Sequence, residues 1–144
     1  MKNLLISSLI IVITFSITAC TPDSPVNTGT STPFTLKYEI TTSAPIAPSP
    51  LFGYIPVSYS NATQQNEIDQ SFISGTIWSK EFTVSTPNRP FDAVFTTGGN
   101  GLTLSSPGTV TSKIYVNGAV VASATNATIG VNNSVTVLMD YLIY

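Results

Sequence analysis

The sequence predicts an all-β protein, namely an antiparallel, immunoglobulin-like β-sandwich of about seven strands preceded by a signal peptide and a flexible tether. Apolar residues recur at every second position from Phe34 onward, which is the period of a half-buried strand. The chain is rich in threonine and serine, which suit exposed strand faces and turns. Beyond the N-terminus, no segment longer than a turn has helical period. A small β-barrel is the alternative.

Residues 1–19 have the features of a secretory signal peptide. Lys2 supplies a positive charge, and a short apolar run follows it as far as Phe15. Spanning a bilayer core about 30 Å thick takes roughly 18 to 20 apolar helical residues, and this run is shorter and interrupted by serine and threonine. We therefore expect a removable signal and not a membrane span.

The signal ends in Ile17, Thr18, Ala19 and Cys20, which resemble the lipobox of bacterial lipoproteins. This resemblance implies cleavage before Cys20, a diacylglyceryl thioether on its thiol and acylation of its freed amine. Two or three acyl chains hold a protein on a membrane, whereas one chain binds only marginally. The alternatives are an ordinary secretory peptide that leaves a free cysteine, or an uncleaved signal anchor.

Residues 20–33 are predicted to be the lipidated cysteine and a flexible tether, and residues 34–144 the β-sandwich domain. The tract at 21–33 contains three prolines and almost no large apolar residue, so it has little to bury. Thirteen residues reach at most about 40 Å when extended. The domain is therefore expected close to the bilayer, where partners in or near the same membrane are favoured.

The domain has alternating patterns in several short segments. Trp78 is a candidate core residue, and the polar residues 63–75 are interpreted as a loop that contains at most a short strand near Phe72. At the C-terminus, Leu138 and Leu142 interleave with apolar odd positions, which predicts a strand buried on both faces. The predicted strands cover residues 34–40, 55–59, 78–84, 91–95, 113–116, 119–121 and 135–144.

Asn117 and Gly118 stand between two runs of β-forming residues. An Asn-Gly pair in this position favours a type I′ turn, whose positive φ angles match the twist of a hairpin. A two-residue turn here places Tyr115 opposite Val120 and Ile114 opposite Val121.

Four segments of the domain resemble the outer domain of the MmpS family. They are Tyr-Glu-Ile at 38–40, Val-Ser-Tyr-Ser-Asn at 57–61, Trp-Ser-Lys-Glu-Phe at 78–82 and Val-Thr-Ser-Lys-Ile-Tyr-Val-Asn-Gly at 110–118. The resemblance covers most of residues 34–144 and implies a β-sandwich. Some members of the family assist a partner transporter in lipid or siderophore export. This chain differs in having Ser112 where a disulfide cysteine is often found, and a lipid anchor in place of a transmembrane helix.

The composition excludes several kinds of chemistry. The chain has no histidine, so Ser-His-Asp and Cys-His catalysis and imidazole metal sites are excluded. Glu67 and Asp69 form the only close carboxylate pair of the domain, for which we expect a solvated loop in preference to an acid/base or calcium site. The glycine-rich run at 97–101 lacks the Lys-Ser/Thr of a phosphate-binding loop and is interpreted as a hairpin connection. Two sequons, at Asn61 and Asn126, are interpreted as accidental.

The charge pattern bears on partners and location. The chain carries five basic and seven acidic residues, and its basic residues are scattered singly, so no nucleic-acid partner is expected. No aspartate follows Cys20, and the tether has a single acidic residue, so neither an inner-membrane retention signal nor an acidic surface-export signal is evident. We expect a location in the cell envelope, on the periplasmic side of the outer membrane.

The sequence thus predicts a lipid-anchored envelope protein that binds or has a structural role and is not an enzyme. We expect Cys20 to carry the lipid, an envelope protein as a candidate partner, and no catalytic, cofactor or metal site. Two alternatives stay open. One is an accessory subunit of an export complex, which only the MmpS resemblance suggests. The other is a carboxylate-based hydrolase, which requires a cleft holding two carboxyl groups within about 10 Å of each other.

Overall fold

The computed structural model describes residues 32–47, 53–72, 75–87, 89–98, 101–128 and 134–144. Within these ranges every regular element is a strand, and all strand pairs are antiparallel. The prediction of an all-β antiparallel sandwich is therefore confirmed. The signal peptide, Cys20 and nearly all of the tether lie outside the described residues.

Ten strands occur in the described part of the chain. They are β1 (Phe34–Thr42), β2 (Ile55–Ser60), β3 (Asn66–Phe72), β4 (Ile77–Val84), β5 (Phe91–Thr96), β6 (Leu102–Thr103), β7 (Gly108–Val116), β8 (Ala119–Thr128), β9 (Ser134–Val135) and β10 (Leu138–Ile143).

The strands form two four-stranded sheets and a short two-stranded ribbon. One sheet has the order β4-β1-β7-β8, the other has the order β10-β5-β2-β3, and β6 pairs with β9. The chain passes between the two four-stranded sheets from β1 to β2, from β3 to β4 and from β4 to β5, and again by way of the ribbon strands from β5 to β7 and from β8 to β10. The edge strands are β3 and β4 on one side of the sandwich and β8 and β10 on the other.

The core lies between the two sheets, and it is formed by the alternating apolar residues that the sequence indicates. In β1, Phe34, Leu36, Tyr38 and Ile40 are all at most 4% exposed. The same alternation buries one face of β2 and of β5. The large core side chains from β2 and β5 are Ile55, Val57, Tyr59, Phe91 and Phe95.

Tyr38 is at the centre of an aromatic cluster that joins the sheets. Its ring centroid lies 5.2 Å from that of Phe95 and 5.9 Å from those of Tyr59 and Phe82. Ring pairs of this kind are worth about 0.5–1.5 kcal/mol beyond the area that they bury. The buried Tyr38 hydroxyl donates to the Ser60 carbonyl at 3.0 Å, and burial raises the pKa of Tyr38 well above its ordinary value.

Three strands differ from the prediction. β6 was not predicted, and the strand predicted at 135–144 is divided into the two-residue β9 and β10. β3 is longer than the short strand allowed near Phe72. β3 has seven residues in the segment interpreted as a loop, and six of them are exposed or half-buried. Because the strand lies at a sheet edge and turns charged residues inward, it lacks the apolar alternation on which the prediction relied.

The structure confirms the type I′ turn. Asn117 and Gly118 have φ angles of 50° and 79°, and Tyr115 pairs with Val120. The predicted pairing of Ile114 with Val121 is wrong, because the register shifts after Tyr115 and Ile114 pairs with Ala122. Val121 is thus the extra residue of a β-bulge, which a turn signal alone does not reveal.

The prediction that β10 is buried on both faces is also wrong. Met139 and Ile143 are buried, but Leu138 is 68% exposed and Leu142 is 41% exposed. The strand lies at the edge of its sheet, and its outer face is not covered by any other described element. Apolar residues on both faces of a strand therefore do not by themselves predict a central strand.

The end of the sandwich where the chain enters β1 has its own contacts. The Phe34 and Phe91 rings meet edge to face at 5.5 Å, and the Arg89 guanidinium lies 5.4 Å from the Phe34 ring centre. The Asn117 side chain accepts a hydrogen bond from the Thr35 backbone N–H at 2.9 Å, and the Asn117 N–H donates to the Thr35 carbonyl at the same distance. The β7–β8 turn is thereby fixed to the start of β1.

We predict that Gly118→Val destabilises the domain by about 1–3 kcal/mol, the usual cost of a residue forced into a rare backbone region. No atom lies within 4 Å of an added Cβ, so the cost arises from the positive φ and not from a clash. Denaturant unfolding measures the loss. Gly118→Asn is the matched control, because asparagine tolerates left-handed geometry. Equal stability of the Val variant and the parent would contradict the role assigned to the turn.

Candidate functional site

A cleft of about 240 Å³ opens between the edge strands β3 and β4, in the half of the sandwich nearer to Phe34. One sheet contributes the end of β2, the following turn and the start of β3, and the other sheet contributes the inner face of β4. The lining residues are Tyr59, Asn61, Ala62, Thr63, Glu67, Lys80 and Phe82.

Lys80 points inward from β4, on the same face as the buried Trp78. Its ammonium lies 5.6 Å from the centre of the Tyr59 ring and 3.4 Å from an Asp69 carboxylate oxygen. Hydrogen bonding to the Tyr59 hydroxyl, together with the charge of Asp69, raises the pKa of Lys80. The ammonium is thus held above an aromatic face and beside a carboxylate, and 37% of the side chain stays exposed.

Glu67 and Asp69 are two positions apart in β3 and lie opposite Tyr59 and Val57 of β2. Partial burial raises the pKa of Asp69, but hydrogen bonds from Ser71 and the ammonium of Lys80 outweigh it, so the net shift is downward. The Tyr59 hydroxyl and the Asn61 amide lower the pKa of Glu67. Both carboxylates are therefore ionised at neutral pH and engaged by neighbouring side chains.

The turn after β2 shapes one wall of the cleft, and Asn61 organises it. The Asn61 side-chain oxygen accepts from the backbone N–H groups of Thr63 and Gln65, at 3.0 and 3.1 Å, and from the Thr63 hydroxyl at 2.9 Å. Its amide donates to Glu67 at 3.4 Å. An asparagine that bonds to its own turn is ordinary turn chemistry. The turn hydrogen bonds thus explain the Asn-Ala-Thr sequence at 61–63 without glycosylation.

The aromatic cluster forms the floor of the cleft. Phe82 is half-buried, and its ring centroid lies 6.1 Å from that of Tyr59, which is only 1% exposed. Deeper in the core, Trp78 packs against Tyr59 and Phe95, as its assignment to the core predicted. The buried indole N–H of Trp78 has no hydrogen-bond partner among the described residues.

A second depression, of about 250 Å³, lies on the outer face of the β4-β1-β7-β8 sheet. Beside it, Glu39 accepts hydrogen bonds from Lys37 at 2.6 Å and from the Tyr115 hydroxyl at 2.8 Å. Burial raises the pKa of Glu39, but these two donors outweigh burial and the net shift is downward. Glu39 lies on the outer face of β1 and is only 8% exposed, because Lys37 and Tyr115 cover it. Lys37 is thus paired with Glu39, just as Lys80 in the cleft is paired with Asp69.

The structure separates the candidate residues that the sequence singled out. Glu67 lines the cleft, whereas Asp69 lies behind it in the ion pair with Lys80. Gly98 and Gly101 adopt positive φ angles in a turn closed by the Gly101 N–H and the Gly98 carbonyl. That turn leads from β5 to β6, which are not paired with each other, so the predicted hairpin connection is wrong. Cys20 lies outside the described residues.

The described residues contain neither a cluster of metal-ligating side chains nor a membrane-spanning helix. No group of three or more Asp, Glu, His or Cys side chains is placed to hold a metal ion. Among the same residues, no helix is long and apolar enough to cross a membrane. Known protein families and curated proteins give no match to this chain.

The cleft combines an aromatic floor, a cation, a carboxylate, an amide and a hydroxyl. Such a mixture of apolar surface and a few fixed polar groups is typical of sites that bind and orient a ligand. The inward charges of Glu67, Asp69 and Lys80 also prevent β3 and β4 from pairing with foreign strands. Sequence reasoning missed the cleft because its walls come from segments that are distant in the chain. The only local feature of the sequence that could have indicated the cleft was the polar run at 63–75, which precedes Trp78.

We predict that Lys80→Met lowers stability at neutral pH by roughly 0.5–1 kcal/mol, the range for a partly exposed ion pair. Because the folded pKa of Asp69 lies below its unfolded value, its contribution is present above about pH 4 and is lost in more acidic solution. The difference between parent and variant should therefore shrink below about pH 4. It should also shrink above about pH 10.5, as Lys80 loses its proton.

Denaturant unfolding over this pH range is the measurement, and Lys113→Met is the control. Lys113 is a half-buried lysine of β7 and makes no ion pair within the described residues. Its substitution should produce a difference that varies less with pH. The same pH profile for both variants would show that the pair of Lys80 and Asp69 does not stabilise the contact between β3 and β4.

Proposed function

We propose that this chain is a lipid-anchored lipoprotein of the cell envelope whose β-sandwich is a non-enzymatic binding module. The cleft between β3 and β4 is the proposed binding site. Cys20 carries the lipid, and residues 21–33 are the tether. The proposed location is the periplasmic face of the outer membrane, with an envelope protein or a ligand near the membrane as the partner.

The position of the cleft is the observation that carries this proposal. Phe34 begins β1 and pairs with Val84 at the end of β4, while Phe82, two residues earlier, lines the cleft. The cleft thus lies in the half of the domain that the tether enters. A partner held there is close to the bilayer, because thirteen tether residues span at most about 40 Å.

The arrangement of charged groups favours binding over catalysis. The carboxylates of Glu67 and Asp69 have lowered pKa values, whereas a general acid at neutral pH needs a raised one. The Lys80 pKa is raised, whereas an amine that acts as a base or nucleophile needs a lowered one. These groups are suited to remain charged and to hold a ligand by ionic and hydrogen-bonding contacts.

Cys20→Ser tests the anchor. We expect the variant to lose labelling by palmitate and processing before residue 20, because serine cannot form the thioether. The domain should then move to soluble fractions or accumulate as an unprocessed precursor. Thr21→Ser, which leaves the cysteine in place, is the control and should be labelled as the parent is. Unchanged labelling of the Cys20→Ser variant would overturn the assignment.

Thr63→Arg tests the cleft. An arginine on this exposed rim position should fill the opening while the Thr63 backbone N–H keeps its bond to Asn61. The partner molecules that co-purify with the parent from gently solubilised membranes should be recovered in about tenfold lower amount with the Thr63→Arg variant. This is the size of effect expected for loss of a central contact. Thr83→Arg, on the exposed outer face of β4, is the matched control.

Three results of that experiment are informative. Loss of a partner with Thr63→Arg and not with Thr83→Arg would support the cleft. Recovery of a transporter in this cleft-dependent way would favour the accessory role that the MmpS resemblance suggests. Identical recovery from the parent and both variants would contradict the cleft as the binding site.

A further inference from the structure

The four edge strands of the sandwich differ sharply in charge. β3 turns Glu67 and Asp69 inward, and β4 turns Lys80 inward. β10 has only six residues and carries Asp140 on its exposed outer face. Charges on edge strands, and inward-pointing ones in particular, discourage pairing with another chain. Three of the four edges therefore carry a feature that opposes association.

β8 is the exception. It is the longest strand of the described residues, with ten residues from Ala119 to Thr128, and it contains no charged residue and no proline. Among the described strands, it is hydrogen-bonded only to β7. Its inward side chains are small, as at Ala122 and Ala124, and Val120 is 50% exposed. A long, uncharged edge of this kind presents unpaired backbone groups to another strand.

The bulge limits which part of β8 can pair. Val121 is the extra residue, and from Ala122 onward the register with β7 is regular. Residues 122–128 thus form a regular edge that pairs with no second strand among the described residues, and Thr125 is at its centre. The Thr125 side chain lies on the outer face of the sheet, where its hydroxyl is 3.0 Å from that of Thr111.

We propose that the β8 edge is a self-association surface, on which the β8 strand of a second copy pairs in antiparallel orientation about Thr125. In this register Ser123 faces Ala127 of the partner subunit, and Ala124 faces Asn126 of the partner subunit. The two four-stranded sheets become one sheet of eight strands. A two-fold axis through Thr125 makes the contact self-complementary.

Charge distinguishes self-pairing at the β8 edge from self-pairing at the other three edges. Self-pairing of β3 brings the carboxylates of Glu67 and Asp69 close to their own copies, and self-pairing of β4 does the same for Lys80. β10 would bring together two Asp140 side chains. Like charges across a strand pair are destabilising. β8 alone meets its own copy without any charge.

Pairing of one strand buries less surface than the roughly 1,200–2,000 Å² of a stable interface, so the dimer forms weakly in dilute solution. Attachment to one membrane concentrates the copies in a thin layer and favours their encounter. This concentration rests on the proposed anchor at Cys20. The proposal itself concerns the strand edge and does not involve the cleft.

The test uses the full-length, lipidated protein in membranes, with a cysteine placed on the strand edge and a short bismaleimide as the cross-linker. Opposed residues in an antiparallel pair have Cβ atoms about 4.5–5.5 Å apart, so Thr125→Cys should give about tenfold more covalent dimer than Gln70→Cys. Gln70 is an exposed residue of the charged edge β3. The parent chain reports on Cys20, because dimer formed without an added cysteine would mean a free thiol and a failed anchor assignment.

A second substitution tests the charge argument in the Thr125→Cys background. Asn126→Lys places an inward lysine on β8, as Lys80 is placed on β4, and should reduce the covalent dimer to the level of Gln70→Cys. Asn126→Ser, which is uncharged, should leave it unchanged. Equal cross-linking at residues 125 and 70, cross-linking that survives Asn126→Lys, or cross-links mainly to a different protein would each overturn pairing with a second copy.

Discussion

The burial of Tyr38 is the constraint on which the rest of the structure depends. A hydroxyl in the core that lacks a partner costs about 1–3 kcal/mol, so the side chain is stable there only if an acceptor is supplied. The Ser60 carbonyl is that acceptor, and it lies at the end of β2 in the opposite sheet. One hydrogen bond thereby sets the end of β2 against the middle of β1. The same contact positions the Asn61 turn, which forms one wall of the cleft.

The fold was predictable wherever an inner face is uniformly apolar, as in β1, β2 and β5, because alternation then reports burial directly. It was not predictable at the edges. β3 carries Glu67 and Asp69 on its inner side and so lacks the signal, while Leu138 and Leu142 give a false signal of burial in β10. The shift of Ile114 onto Ala122 depends on a bulge, which requires tertiary context. Periodicity describes the central strands and says little about what covers an edge.

The candidate site was less predictable than the fold. Its residues come from three strands and a turn, and no local spacing relates Lys80 to Glu67 or to Asn61. The composition did limit the chemistry, because a chain without histidine has few groups that titrate near neutral pH. The sequon at Asn61 shows why a short motif needs its structural context. In the folded chain that side chain is occupied by its own turn.

The two sides of the sandwich differ in how their edge strands are protected from pairing with another chain. This difference suggests a different kind of interaction for each side. On the β3–β4 side, inward charges oppose pairing with another strand, and the gap between the sheets is the cleft that we propose as the ligand site. On the other side, β8 itself carries no charge that would protect its backbone, and its inward residues Ala122 and Ala124 are small. The proposed ligand binding and the proposed self-association would therefore use opposite edges, and a dimer formed through β8 would leave both copies of the cleft unobstructed.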